Sequence, residues 1–198
     1  MAHYYDLDPS LASKERTIEF DVLGRKISLI SDNGVFSKNR LDEGSRFLLD
    51  TLLPLSLSGN ILDLGSGYGP IGLSIAISSK DASVTLADIN PRAVALCKKN
   101  ADLLALGSKV TCLQSNIFEN IEGLFDVIVL NPPIRAGKSV TYTMYKGAHE
   151  HLKDGGYFYF VIRKAQGASS ASQYVKEVFG NITLVDRHKG YHVYKAVK

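Results

Sequence analysis

The chain has 198 residues, 45% of them hydrophobic and 22% charged, with 23 Lys and Arg against 20 Asp and Glu for a net charge of +3. This is the composition of an ordinary globular protein, long enough to bury about 70% of its unfolded surface in one domain, so no disulfide scaffold is needed. Only Cys97 and Cys112 are present, outside any CxxC pair or His-containing ligand spacing, so they are expected as small buried residues in a reducing, cytoplasmic setting with no structural metal.

The opening MAHYYDLDPS lacks the basic start and apolar core of a secretory signal. No apolar run approaches the ~18 residues of a membrane helix, so no membrane association is expected. Charge is unevenly spread: residues 1–50 and 51–134 each carry −2, whereas 135–198 holds eleven Lys and Arg against four Asp and Glu, a net +7. A one-sided basic surface suits a protein that meets phosphates.

In chain order, TIEFDV (17–22) and KISLI (26–30) are short β-rich runs separated by Leu23-Gly24-Arg25, the pattern of a hairpin. A loop over 34–40 leads to Asp42, which can cap a helix whose apolar positions Phe47, Leu48, Leu52 and Leu53 recur at helical spacing. From residue 60 onward, strands are predicted over 60–64, 83–87, 109–113, 125–130, 157–162, 182–185 and 191–196. Helices are predicted over 70–78, 91–106, 140–152 and 169–179, with Pro91 at a favoured first position and Gly107 just past that helix's end. Apolar strands alternating with amphipathic helices mean a mainly parallel sheet covered on both faces, whose ligands bind beyond the carboxyl ends of the strands.

The residues after each strand therefore carry the chemistry. After the first comes Asp63-Leu64-Gly65-Ser66-Gly67-Tyr68-Gly69-Pro70, a turn where glycines allow close backbone approach. Pro70 breaks the GxGxxG dinucleotide fingerprint, and Asp63 would repel a pyrophosphate but could pair with a cationic ligand end, which disfavours a nicotinamide oxidoreductase. Asp88, 23 residues beyond Gly65, stands where a carboxylate accepts bonds from ribose hydroxyls. Asn116 could meet an adenine amino group, with Ile89 and Ile117 packing its faces.

The most informative string is Asn131-Pro132-Pro133-Ile134, directly after the apolar run 125–130. Two prolines end the ladder and are expected to leave carbonyls without competing local donors. The Asn131 side-chain oxygen and the Pro132 carbonyl could then accept both hydrogens of one planar amino group, aiming its lone pair at an electrophile.

Together these residues resemble the class I S-adenosylmethionine-dependent methyltransferases over roughly residues 31–198. The resemblance implies a Rossmann-like α/β fold, a seven-stranded mainly parallel sheet with helices on both faces. It also implies a catalytic domain over 51–198 and an N-terminal extension over 1–50, hairpin and helix, packed on it. By matching position, Asp63, Gly65 and Gly67 would hold the methionine part of S-adenosyl-L-methionine, Asp88 its ribose, and Asn116 its adenine between Ile89 and Ile117, with Ser66 also among the cofactor-binding residues. Asn131, Pro132 and Pro133 would form the catalytic turn, with Asn131 also touching the cofactor. The family often has an aromatic residue at the fourth motif position, worth about 1–3 kcal/mol of base stacking; Ile134 stands there instead, so base binding must be supplied elsewhere.

The longer strings GVFSKNRLDEGS (34–45) and NPPIRAGK (131–138) are similar to the small-domain branch of that family, which includes ribosomal RNA guanine-N2 methyltransferases of the small subunit. The likeness implies a substrate side made of Phe36, Ser37, Lys38, Arg40, Ile134, Arg135 and Lys138, and ribosomal RNA or the small ribosomal subunit as partner. Two other assignments remain open: methylation of a protein glutamine amide, or a non-catalytic RNA-binding assembly factor. The five histidines pair with no nucleophile or carboxylate motif and are expected to be surface or packing residues.

Overall fold

Alternation of apolar residues builds the N-terminal hairpin in the computed structural model, which describes residues 11–198; the absence of a signal in residues 1–10 lies outside the described residues. Strands β1 (Arg16–Val22) and β2 (Arg25–Ser31) pair antiparallel, with Val22 opposite Arg25. Ile18, Phe20, Val22, Ile27 and Leu29 are buried, and most residues between them face outward. Leu23 and Gly24 both take positive φ, the two-residue turn whose twist matches the strands, so Arg25 joins the ladder rather than the turn.

Helix α1 (Glu43–Leu52) begins at Asp42, whose Oδ2 accepts the Ser45 N–H at 2.9 Å, and buries Phe47, Leu48, Leu49 and Leu52. Beyond it lie β3 (Gly59–Leu64), α2 (Pro70–Ser78), β4 (Ala82–Asp88), α3 (Pro91–Leu103), β5 (Val110–Gln114), β6 (Phe125–Leu130), α4 (Lys138–His151), β7 (Leu152–Arg163), α5 (Ala168–Phe179), β8 (Thr183–His188) and β9 (Tyr191–Val197). The seven strands run in the order β5-β4-β3-β6-β7-β9-β8; the first five are parallel, and β9 is antiparallel to both neighbours.

Successive side chains of each central strand enter opposite cores. Ile61, Val127, Val129 and Val161 pack with the hairpin, α1, α2 and α3, while Leu62, Ile128, Leu130, Phe158 and Phe160 pack with α4 and α5. The chain changes faces between β3 and β6, so the crevice beyond these two neighbours is the switch point at which such sheets bind ligands. Asn100, fully buried on α3, ties this region to the hairpin. Its amide exchanges two bonds with the Ile30 backbone at 2.7 and 2.9 Å and donates to the Tyr68 carbonyl at 3.0 Å.

Several boundaries differ from expectation. Helix α3 stops at Leu103, because Ala105 takes a left-handed φ of 54°; Gly107 lies well beyond the end. Strand β7 starts at Leu152, five residues early, through an irregular register with Phe125. Strand β8 runs on to His188, its polar end invisible to an apolar pattern because this edge strand is exposed throughout. Among the described residues no helix is long and apolar enough to cross a membrane, and no group of three His, Cys, Asp or Glu side chains could hold a metal.

Candidate active site

The turn after β3 is closed by its own main chain. Gly65 and Ser66 N–H both donate to the Ala87 carbonyl, at 2.8 and 3.0 Å, and Gly69 N–H donates to Ser66 at 3.0 Å. Gly65, Gly67 and Gly69 all have positive φ; at Gly69 a Cβ would also stand 2.8 Å from Leu73 and 3.0 Å from Leu86, so only glycine fits. Underneath, the Cys97 thiol donates to the Gly67 carbonyl at 3.1 Å and lies 3.6 Å from Ser66 Oγ.

Asp63 does not face out of this loop. It is 1% exposed, and its Oδ2 accepts the Gly72 N–H in the first turn of α2 at 2.8 Å. Burial pushes its carboxyl up to about 7, the Gly72 bond opposing and nearby Asp88 reinforcing the rise. Asp88 ends β4, one oxygen accepting Gly67 N–H at 2.8 Å and the other Asn90 N–H at 2.9 Å. Burial raises its carboxyl too, against those main-chain bonds. It lines a narrow cleft with Gly65, Ile89, Ser115, Ile117, Pro133 and Met144. Asn116 stands outside that lining: it is exposed, and its amide donates to Glu119 at 2.8 Å. Ile117 takes a φ of 54°, a strained conformation for a β-branched side chain.

Beyond β6, the amide nitrogen of Asn131 donates to Asp42 Oδ2 and Ser45 Oγ, both at 2.9 Å. A carboxylate only accepts, so this contact fixes which end of the carboxamide is nitrogen and leaves Oδ1 with no partner among the described residues. Asp42 thus caps α1 and orients Asn131 from 89 residues away. The expectation of a Pro132 carbonyl without local donors is corrected. Ile134 N–H donates to it at 2.9 Å across Pro133, whose φ of −75° and ψ of 78° form an inverse γ-turn. One lone pair of the Pro132 oxygen is left.

The segment 34–45 bridges the two halves. Asn90 Nδ2 donates to the Gly34 carbonyl at 2.8 Å at one end, and Asp42 and Ser45 hold Asn131 at the other. Between them Phe36 is 51% exposed, Ser37 takes a φ of 55° and donates to the Arg40 carbonyl at 2.7 Å, and Lys38 and Arg40 are exposed. Ile134 packs on the α4 side, Arg135 is exposed in a short 3-10 turn, and exposed Lys138 opens α4.

Sequence patterns left several supporting residues unmarked. Asp42 carried a capping signal only, and Ser45 and Cys97 carried none. Gly147 has a packing role: a Cβ there would collide with the Phe118 ring, so glycine lets Phe118, next to the cleft residue Ile117, lie on α4. His151 stacks on the same ring, at 4.3 Å between centres, and His149 meets Phe179 edge-on. Two larger grooves lie at the opposite, amino end of the parallel strands, one beside Asn60 and Lys109 and the other beside Gly59 and Lys153. Their size does not make them the site: the buried carboxylates, glycine turn and free carboxamide all stand at the other end.

Residues 26–195 match the family described as methyltransferase small domain. The chain is 42% identical over 198 residues to the uncharacterized protein YbxB of Bacillus subtilis, covering 99% of this chain and 98% of that one. It is 36% identical over 169 residues to ribosomal RNA small subunit methyltransferase C of Erwinia tasmaniensis, covering 83% of this chain and 48% of the relative. Among solved structures, the T. thermophilus 16S rRNA N2 G1207 methyltransferase (RsmC), in complex with AdoMet and guanosine, superposes with a TM-score of 0.84 at 28% identity, covering 96% of this chain and 52% of that one. The chain therefore spans about half the length of the ribosomal RNA methyltransferases it matches. With the switch-point cleft, the glycine turn and the matched family in agreement, the chain belongs to the methyltransferase small-domain family and is a class I enzyme that uses S-adenosylmethionine.

Proposed function

We propose that this methyltransferase acts on the exocyclic N2 amine of a guanine in small-subunit ribosomal RNA, free or in the small subunit, in the cytoplasm. The observation that carries it is the Asn131 carboxamide, its nitrogen held by Asp42 and Ser45 and its oxygen left free beside a proline turn. The relatives that share the fold support the RNA assignment, since RsmC was solved with guanosine.

The residues of the cleft fit the cofactor. Each Asp88 oxygen accepts one main-chain bond and keeps a lone pair for a ribose hydroxyl. Ile89 and Ile117 offer apolar surfaces to a purine, and a Cβ at Gly67 would meet nothing within 4 Å, so that stretch of backbone is approachable. Asp63 supports the methionine end from beneath the loop by fixing α2. When bound, S-adenosylmethionine supplies an electrophilic methyl on a sulfonium. Asn131 Oδ1 and the remaining lone pair of the Pro132 oxygen accept the two hydrogens of the acceptor amine, which turns its lone pair out of the base plane and offsets charge as it develops. Phe36, Ser37, Lys38, Arg40, Ile134, Arg135 and Lys138 form the RNA side in this assignment, and residues 1–50 are an extension of the catalytic domain.

Incubation with labelled cofactor, undermethylated small-subunit RNA or subunits, and a protein fraction tests this directly. N2-methylguanine at one mapped nucleotide is the expected product. Label confined to glutamine in protein, or absent from every fraction, would overturn the proposal.

A further inference from the structure

The antiparallel edge of the sheet brings a second group of side chains to the same end of the molecule. Arg163 ends β7 opposite Tyr191, the first residue of β9, so the β8–β9 turn at Lys189 and Gly190 stands at the carboxyl end of the parallel strands. Lys164 N–H donates to the Gly190 carbonyl at 2.7 Å and joins the exit of β7 to that turn. Tyr191 borders the acceptor turn: a methyl on Gly44 would stand 3.3 Å from Tyr191 Cε1, 3.0 Å from Asp42 Oδ2 and 3.5 Å from Asn131 Nδ2. The Arg163 guanidinium lies 5.6 Å from the centre of the Tyr191 ring.

Arg163, Lys164, Arg187 and Lys189 are all exposed, and none has an ion-pair partner among the described residues, unlike Lys26, Arg46 and Lys99 elsewhere. Asp186 is the nearby acid on β8, and it accepts the Arg187 main-chain N–H at 2.7 Å. A half-exposed aromatic ring beside the acceptor-orienting amide, with Arg163 over it and Lys164, Arg187 and Lys189 exposed at the same end of the sheet, matches a polyanion that carries flat bases. An acidic protein would match the cations and leave the ring without a role.

We infer that Tyr191 with Arg163, Lys164, Arg187 and Lys189 is the docking surface for the RNA substrate. Tyr191 stacks on a base at the acceptor and stands in for the aromatic that Ile134 does not provide, while the cations hold flanking phosphates. The inference rests on RNA being the substrate, so its test separates the two. Binding of small-subunit ribosomal RNA is titrated against salt for the wild type and for Arg187→Ser combined with Lys189→Asn; Asn tolerates the φ of 46° at position 189. The expected result is a log–log salt slope shallower by roughly 1.5 and affinity weaker by about tenfold at low salt, with S-adenosylhomocysteine affinity unchanged. Tyr191→Ala is expected to raise the KM for RNA by about tenfold, and Tyr191→Phe to restore it. Wild-type RNA methylation with an unchanged slope in the double variant, or equal KM in the Ala and Phe variants, overturns the docking surface and leaves the substrate assignment standing. Methyl transfer by the wild type to protein alone overturns both.

Discussion

On the side of the cleft proposed for the cofactor, the turns after β3 and β4 are closed by main-chain bonds to Ala87, Asp63 and Asp88, with both carboxylates buried. On the side proposed for the acceptor, a half-buried carboxamide is held by two side chains of a distant segment, and Arg135 and Lys138 are exposed a few residues further along the chain. Backbone closure leaves little to vary, because the turn spends its N–H groups on its own carbonyls and carboxylates, and any ligand of that side meets the same closed backbone and the same Asp88. Side-chain closure can be altered one residue at a time without disturbing the glycine turn. The difference explains how a shared cofactor can be combined with different acceptors in one fold.

If the two sides are separable in this way, changes on one should leave the other intact. The largest effect is expected from Asn131→Ala, with turnover down by at least about a hundredfold and S-adenosylhomocysteine affinity unchanged by calorimetry. Wild-type turnover would remove Asn131 from the chemistry. Asp42→Ser keeps a helix cap but shortens the reach to Asn131, so kcat should fall by about tenfold while the melting temperature moves little. An equal fall in stability and activity would mean that Asp42 serves only α1.

Asp63 tests the cofactor side through pH. Its native carboxyl at about 7 exceeds the ordinary value of 3.8, so between those values the folded state holds one more proton than the unfolded state. Stability from this group is therefore fully present at low pH and is lost as pH rises toward 7, with a limiting slope of about 1.4 kcal/mol per pH unit. Asp63→Asn, which keeps an acceptor for Gly72, should flatten that part of the urea-unfolding profile between pH 5 and 7; an unaltered profile would place the titration elsewhere. The smallest effect belongs to Gly147→Ala. The added methyl displaces the Phe118 ring and through it Ile117, so cofactor affinity should weaken several-fold while Asn131-dependent chemistry per bound complex is retained. A loss of kcat at saturating cofactor would show that the two sides are coupled through α4.

Much of this molecule was legible along the chain. Apolar runs marked β6 and α2 to the residue, and Pro91 marked the start of α3, because burial on both faces of a parallel sheet demands continuous apolar strands whose punctuation is set by proline and glycine. Gly65, Gly67 and Asp88 all lie within three residues of a strand end, so position along the sequence was enough to place them at the switch-point end of the sheet. The inward turn of Asp63 was not legible, since only the placement of Gly72 decides which way that carboxylate faces.

What the sequence determined by itself was the order of elements, the fold class and the turns that border the switch-point cleft, all consequences of local periodicity and local backbone restriction. What the tertiary structure alone decided was which side chains meet there. Asp42 reaches Asn131 across 89 residues, Asn100 ties β2 to the glycine turn across 70 and 32, and Tyr191 comes beside Gly44 only because β9 runs back along β7. Such contacts leave no periodic trace, because a hydrogen bond between distant segments is specified by the packing of whole elements rather than by the spacing of its partners.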